Sequence, residues 1–84
     1  MKWNDLIRLA DEEKIKRSVY SLERDREDYQ FVLGRLGPLW TVYYFERGEK
    51  IDKKFFFSED KACRFLLNTL LEDPGTREGW PTEP

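Results

Sequence analysis

Apolar positions along this chain change period between elements, and the changes mark where one element gives way to the next. Trp3, Leu6, Ile7 and Ala10 recur at i, i+3, i+4 and i+7, one stripe of a 3.6-residue period, so a helix is predicted over residues 3–14. Asn4 is placed to cap its start, and Asp5 suits the positive end of the helix dipole. Asp11, Glu12, Glu13 and Lys14 fall on its solvated side. Such a helix is expected to cover one face of a sheet.

From Tyr29 the period shortens to two. Tyr29, Phe31, Leu33 and Arg35 take one side of a strand over residues 29–36, and Gln30, Val32, Gly34 and Leu36 the other. Gly37-Pro38 punctuates a turn. Residues 39–47 are dense in aromatic and β-branched types and predict the strongest strand. Leu39, Thr41, Tyr43 and Phe45 alternate there with Trp40, Val42 and Tyr44, so both faces are apolar. A turn around Gly48 to Asp52 leads to a last strand, Lys53 to Phe57, again with rings on both faces.

The helical period then returns. Ser58 is a good N-cap, with Glu59 and Asp60 in the first turn. Ala62, Phe65, Leu66, Thr69 and Leu70 form a stripe that Leu67 and Leu71 widen, so this helix, Glu59 to about Leu71, is expected to be the central packing element. Asp73-Pro74-Gly75 stops it.

Residues 15–28 follow neither period for long. Val19 and Tyr20, flanked by Lys16, Arg17 and Ser18, suit a short edge strand, where charge discourages pairing with other chains. Glu23-Arg24-Asp25-Arg26-Glu27-Asp28 alternates in sign and reads as a solvated turn or the tip of a hairpin. The resulting order is α-β-β-β-β-α. It implies an α+β fold, a three- to four-stranded antiparallel sheet flanked by an N-terminal and a C-terminal helix. Residues 1–73 are expected to form one domain and residues 74–84 a Pro/Gly-rich tail. Trp80 in that tail either tucks back or waits for a partner.

At 84 residues the chain has room for one small core, to which its rings contribute on the order of 150–250 Å² each. Cys63 is the single cysteine, so no internal disulfide forms and a reducing, cytoplasmic setting is expected. No charged-then-apolar leader opens the chain, and no apolar run approaches the roughly 18–20 residues of a membrane span. No membrane partner is therefore expected. Seventeen acids against 15 bases give a formal charge of -2, close to neutral, so no general nucleic-acid field is expected.

There is no histidine, which removes Cys-His and Ser-His nucleophile pairs and most zinc sites. Cys63 lies mid-helix among apolar neighbours and reads as a buried thiol. Gly34-Arg35-Leu36-Gly37-Pro38 lacks the lysine and following helix of a phosphate-binding loop. No catalytic residue, metal ligand or cofactor is expected, and the chain is not read as an enzyme.

The rings are the informative feature. If both helices cover one face of the sheet, little chain remains for the other. Some of Tyr43, Phe45, Phe55 and Phe57, or of their alternates, are then exposed, as at an interface. The opposing arrangement puts the first helix on one face and the second helix and tail on the other. Rings beside Lys50, Lys53 and Lys54 also suit the stacking of bases, although net acidity and the lack of an aromatic-glycine signature speak against a nucleic-acid partner. A homodimer or larger structural assembly is a further alternative.

Trp40-Thr41-Val42-Tyr43-Tyr44, Glu46-Arg47-Gly48, Phe55 to Phe57, Ser58-Glu59-Asp60, Ala62-Cys63 and Phe65-Leu66-Leu67 together resemble small bacterial immunity proteins. These are encoded beside polymorphic or contact-dependent growth-inhibition toxins. The resemblance covers roughly the second half of the domain. It implies a cytoplasmic antitoxin that binds one cognate toxin domain, often a nuclease, and blocks its active or substrate-binding site. Family members diverge where they touch their toxins, so no contact set transfers. Acidic clusters speed association with a basic cleft. The candidates here are Glu46, Glu49 and Asp52 at the hairpin turn, with Tyr43, Phe45 and Arg47 beside them, or Glu23, Asp25, Glu27 and Asp28 in the alternating loop.

Overall fold

The computed structural model of the chain describes residues 1–77, and its elements fall where the period changes. They are α1 (Trp3–Glu12), β1 (Tyr20–Leu22), β2 (Gln30–Leu36), β3 (Leu39–Glu46), β4 (Glu49–Phe56) and α2 (Glu59–Glu72), with short 3₁₀ turns at Arg17–Val19, Glu23–Asp25 and Pro74–Thr76. The order is the expected α-β-β-β-β-α.

Each helix is closed at its start by a side chain. The Asp5 carboxylate accepts the Lys2 N–H at 3.0 Å, so the cap of α1 lies two residues before Asn4. Ser58 Oγ accepts the Lys61 N–H at 3.1 Å and caps α2. Leu6 and Ala10 of α1 and Ala62, Cys63, Leu66 and Leu70 of α2 are fully buried, in one cluster with Tyr20, Leu33 and Val42 of the sheet. Both helices therefore lie on the same face of the sheet, and the arrangement with one helix on each face is not adopted.

The sheet has the order β1-β2-β3-β4. β2–β3 and β3–β4 are antiparallel, but β1 runs parallel to β2, Tyr20 beside Phe31 and Leu22 beside Leu33. The sheet is thus mixed where an antiparallel one was expected. The alternating-sign segment is not a hairpin tip; it is the crossover between two parallel strands. Such crossovers normally take a dozen or more residues and a helix. Residues 23–29 manage it with one 3₁₀ turn and an extended run laid across the sheet's outer face.

β4 starts at Glu49, four residues before the expected Lys53. The turn is Arg47-Gly48 alone, with both residues left-handed at φ 54° and 80°. A two-residue turn of this hand matches the twist of the strands it joins. Lys50, Asp52 and Lys53 that follow belong to an edge strand, where charge is tolerated. The register shifts between Val42 and Tyr44, and Asp52 at this bulge is again left-handed, φ 55°.

Residues 74–77 belong to the body instead of a tail. Thr76 is buried, its hydroxyl donates to the Leu70 carbonyl at 2.8 Å, and Arg77 bridges to Ile15. Trp80 lies outside the described residues. Among the described residues no helix is long and apolar enough to cross a membrane.

Candidate protein-binding surface

The outer face of the sheet carries Gln30, Val32 and Gly34 of β2 and Thr41, Tyr43 and Phe45 of β3. No helix covers it, yet Tyr43 is only 2% exposed. The crossover does the covering. Tyr43 donates its hydroxyl to Glu23 Oε2 at 2.9 Å, and Lys50 Nζ reaches the same oxygen at 3.0 Å from above the Tyr43 ring. The Arg26 guanidinium lies 4.8 Å over the Phe45 ring. Gln30 ties the segment down: its amide donates to the Ser18 carbonyl at 3.0 Å, and its Oε1 accepts from Ser21 Oγ and the Glu27 N–H at 2.8 and 2.9 Å.

Gly34 makes this closure possible. A Cβ there would stand 2.7 Å from Glu23 Oε1. Burial pushes the Glu23 carboxyl up, but hydrogen bonds from Lys50 and Tyr43, with the nearby Lys50 and Arg26 charges, outweigh it and hold the group below its ordinary value. Burial and the Glu23 carboxylate push the Tyr43 phenol well up. Tyr43 and Glu23, two of the candidate contact residues, therefore hold the fold together, and Phe45 is partly covered by Arg26.

The remaining candidates divide by position. Asp28 Oδ1 accepts the Gly48 N–H at 3.1 Å, and the Tyr29 N–H donates to the Phe45 carbonyl at 2.6 Å. These bonds fasten the end of the crossover to the β3–β4 turn, so the two acidic runs, separate in sequence, meet at one end of the sheet. Glu27, Asp28, Glu46 and Glu49 gather there beside Arg47, and none of the four acids makes an ion pair among the described residues. Glu46 and Glu49 face each other directly across the turn.

Asp25 is not brought to this end; it stands by β1, 3.5 Å from Arg24. Asp52 also lies apart. It lines a 280 Å³ cleft between α2 and the sheet, together with Phe31, Tyr44 and Phe65.

Among the described residues four large apolar side chains are exposed. Tyr29, 55% exposed and left-handed at φ 69°, stands at the acidic end. Leu36, Phe55 and Phe57, at 61%, 47% and 86%, stand at the opposite end. The exposure of Phe55 and Phe57 accords with the expectation of too many rings for two helices. That of Tyr29 had no signal, since the two-residue period assigns it to the strand face with Phe31.

Among the described residues no group of three His, Cys, Asp or Glu side chains is placed to hold a metal ion. Burial pushes the Cys63 thiol up to about 11, which makes it a poor nucleophile at neutral pH. Comparison with family models, curated proteins and solved structures finds no match for this chain.

Proposed function

We propose that this chain is an immunity protein, one that binds a cognate toxin domain with a basic cleft through its acidic end and blocks the toxin's active or substrate-binding site. The observation that carries this reading is the Asp28–Gly48 hydrogen bond, which joins the crossover acids to the turn acids in a single surface. Four carboxylates without ion pairs among the described residues, gathered around an exposed tyrosine, suit a basic partner: the charges steer the encounter and Tyr29 supplies an anchor. The Glu46–Glu49 pair adds a second argument. Like charges directly opposite across a hairpin weaken it, so the pair serves something other than folding.

The test is growth protection. The chain is co-expressed in bacteria with the toxin domain encoded beside its gene, as the unaltered protein and as Glu27→Lys/Glu46→Lys/Glu49→Lys. Protection by the first and its loss with the second, at equal soluble yield and unchanged circular dichroism, is the expected result. Equal protection by both, or none by the unaltered protein, would overturn the proposal. Asp28 is left in place because it holds the two segments together.

A further inference from the structure

Among the described residues the edge of β2 is covered along only part of its length. β1 ends where Leu22 pairs with Leu33, whereas β2 continues to Leu36. The two-residue turn at Gly37-Pro38 makes Leu36 and Leu39 a hydrogen-bonded pair. Alternation then aims the N–H and C=O of Leu36 and Gly34 at β3, and those of Arg35 at the vacant side.

Past the end of β1 the chain turns into the Glu23–Asp25 3₁₀ turn and leaves an open groove of 520 Å³ along this edge. Leu22, Leu33 and Trp40 supply apolar lining, and Arg24, Arg26 and Arg35 supply cations. The Arg35 guanidinium lies 4.5 Å over the Trp40 ring, which sets its position before any partner arrives. The one acid lining it, Glu23, is engaged with Tyr43, Lys50 and Arg26, and Arg24 lies 3.5 Å from Asp25, so among the described residues Arg35 is the lining cation without an ion pair. A chain that is net acidic thus presents the Arg35 guanidinium beside a stretch of strand that nothing pairs among the described residues.

We propose that this groove takes an extended acidic segment of a partner protein, which continues the sheet beside β2 where β1 leaves off. Its backbone pairs with the N–H and C=O of Arg35. A carboxylate meets Arg35 in charge-assisted hydrogen bonds, and an apolar side chain lies against Leu22 and Trp40. The groove shares no residue with the acidic end, so the inference stands whether or not the chain neutralises a toxin. Single-stranded RNA would also be attracted to the arginines, but it has no strand backbone to pair with Arg35.

The test titrates the ¹⁵N-labelled full chain with a capped octapeptide of alternating valine and glutamate, and separately with an RNA oligonucleotide of the same charge. Expected are shifts at the Gly34, Arg35 and Leu36 amides and at the Trp40 indole, with slowed exchange of the Arg35 N–H. Arg35→Glu should weaken binding roughly tenfold or more, the size expected when a charge-assisted contact becomes a repulsion. Arg35→Pro, which removes the edge N–H and is tolerated on a strand's open side, should weaken it too. If Arg35→Pro does not fold, exchange at Arg35 in the unaltered protein decides. No shift at these residues up to millimolar peptide, shifts without slowed exchange at Arg35, or RNA bound as tightly as peptide would each overturn the proposal.

Discussion

Glu23 carries more of this molecule's organisation than its place in a charged, surface-type run suggests. Its carboxylate takes the Tyr43 hydroxyl and Lys50 together, directly above a glycine that leaves room for it. Glu23→Ala should leave the buried Tyr43 hydroxyl without a partner and cost about 1–3 kcal/mol, read as a lower midpoint in urea. Gly34→Ala should cost about 1–3 kcal/mol through crowding against Glu23 and Thr41, and Glu23→Ala in the same chain should recover part of that loss. Additive losses in the double variant would show that the two residues do not meet.

The pH dependence has a definite sign. The carboxyl is held below its ordinary value in the fold, so its contribution is present above the unfolded-state value and is lost as pH falls through the folded one. The stability gap between the unaltered protein and Glu23→Gln should therefore be widest near neutrality and narrow below about pH 4.5. A gap that stays constant down to acid unfolding would exclude the ionised carboxylate as the source.

Among the elements, both helices could be read from the chain because a 3.6-residue stripe fixes where a helix lies and which side it buries. Leu6, Ala10, Leu66 and Leu70 are at the bottom of the core as their spacing implies. β4 was harder to place. Its first half is edge strand, where charge is permitted, so Lys50, Asp52 and Lys53 resemble a turn. The direction of β1 left no trace in composition, because a three-residue strand is too short for its pattern to distinguish parallel from antiparallel pairing. The acids of the candidate surface were visible as residue types. Their meeting was not, since it depends on one backbone N–H, that of Gly48, reaching Asp28.

The β3–β4 turn offers its own test. Arg47 occupies a left-handed position that asparagine or glycine takes at lower cost. Arg47→Asn should raise stability by about 0.5–1 kcal/mol, seen as a melting temperature higher by a few degrees. A lower melting temperature would mean that the Arg47 side chain contributes to the fold.

The molecule as a whole places its unlike surfaces apart. Carboxylates without ion pairs among the described residues occupy one end of the sheet with Tyr29, and Leu36, Phe55 and Phe57 the other. The helices hold one face and the crossover closes the middle of the other, so surface chemistry is concentrated at the rims, where substitutions leave the core untouched. This separation lets stability and recognition change in opposite directions. Glu49 faces Glu46 across the turn, and the repulsion between them is worth some tenths of a kcal/mol to about 1 kcal/mol. Glu49→Lys exchanges that repulsion for an attraction and should raise the melting temperature by about 2–4 °C. The same change removes one of four carboxylates presented to a basic partner, so it should slow association and flatten its dependence on salt. Protection in the co-expression assay should weaken even as the fold becomes more stable. A variant that melts higher and protects equally would detach the like-charge pair from recognition, and one that melts lower would show that the two side chains do not repel in the folded chain.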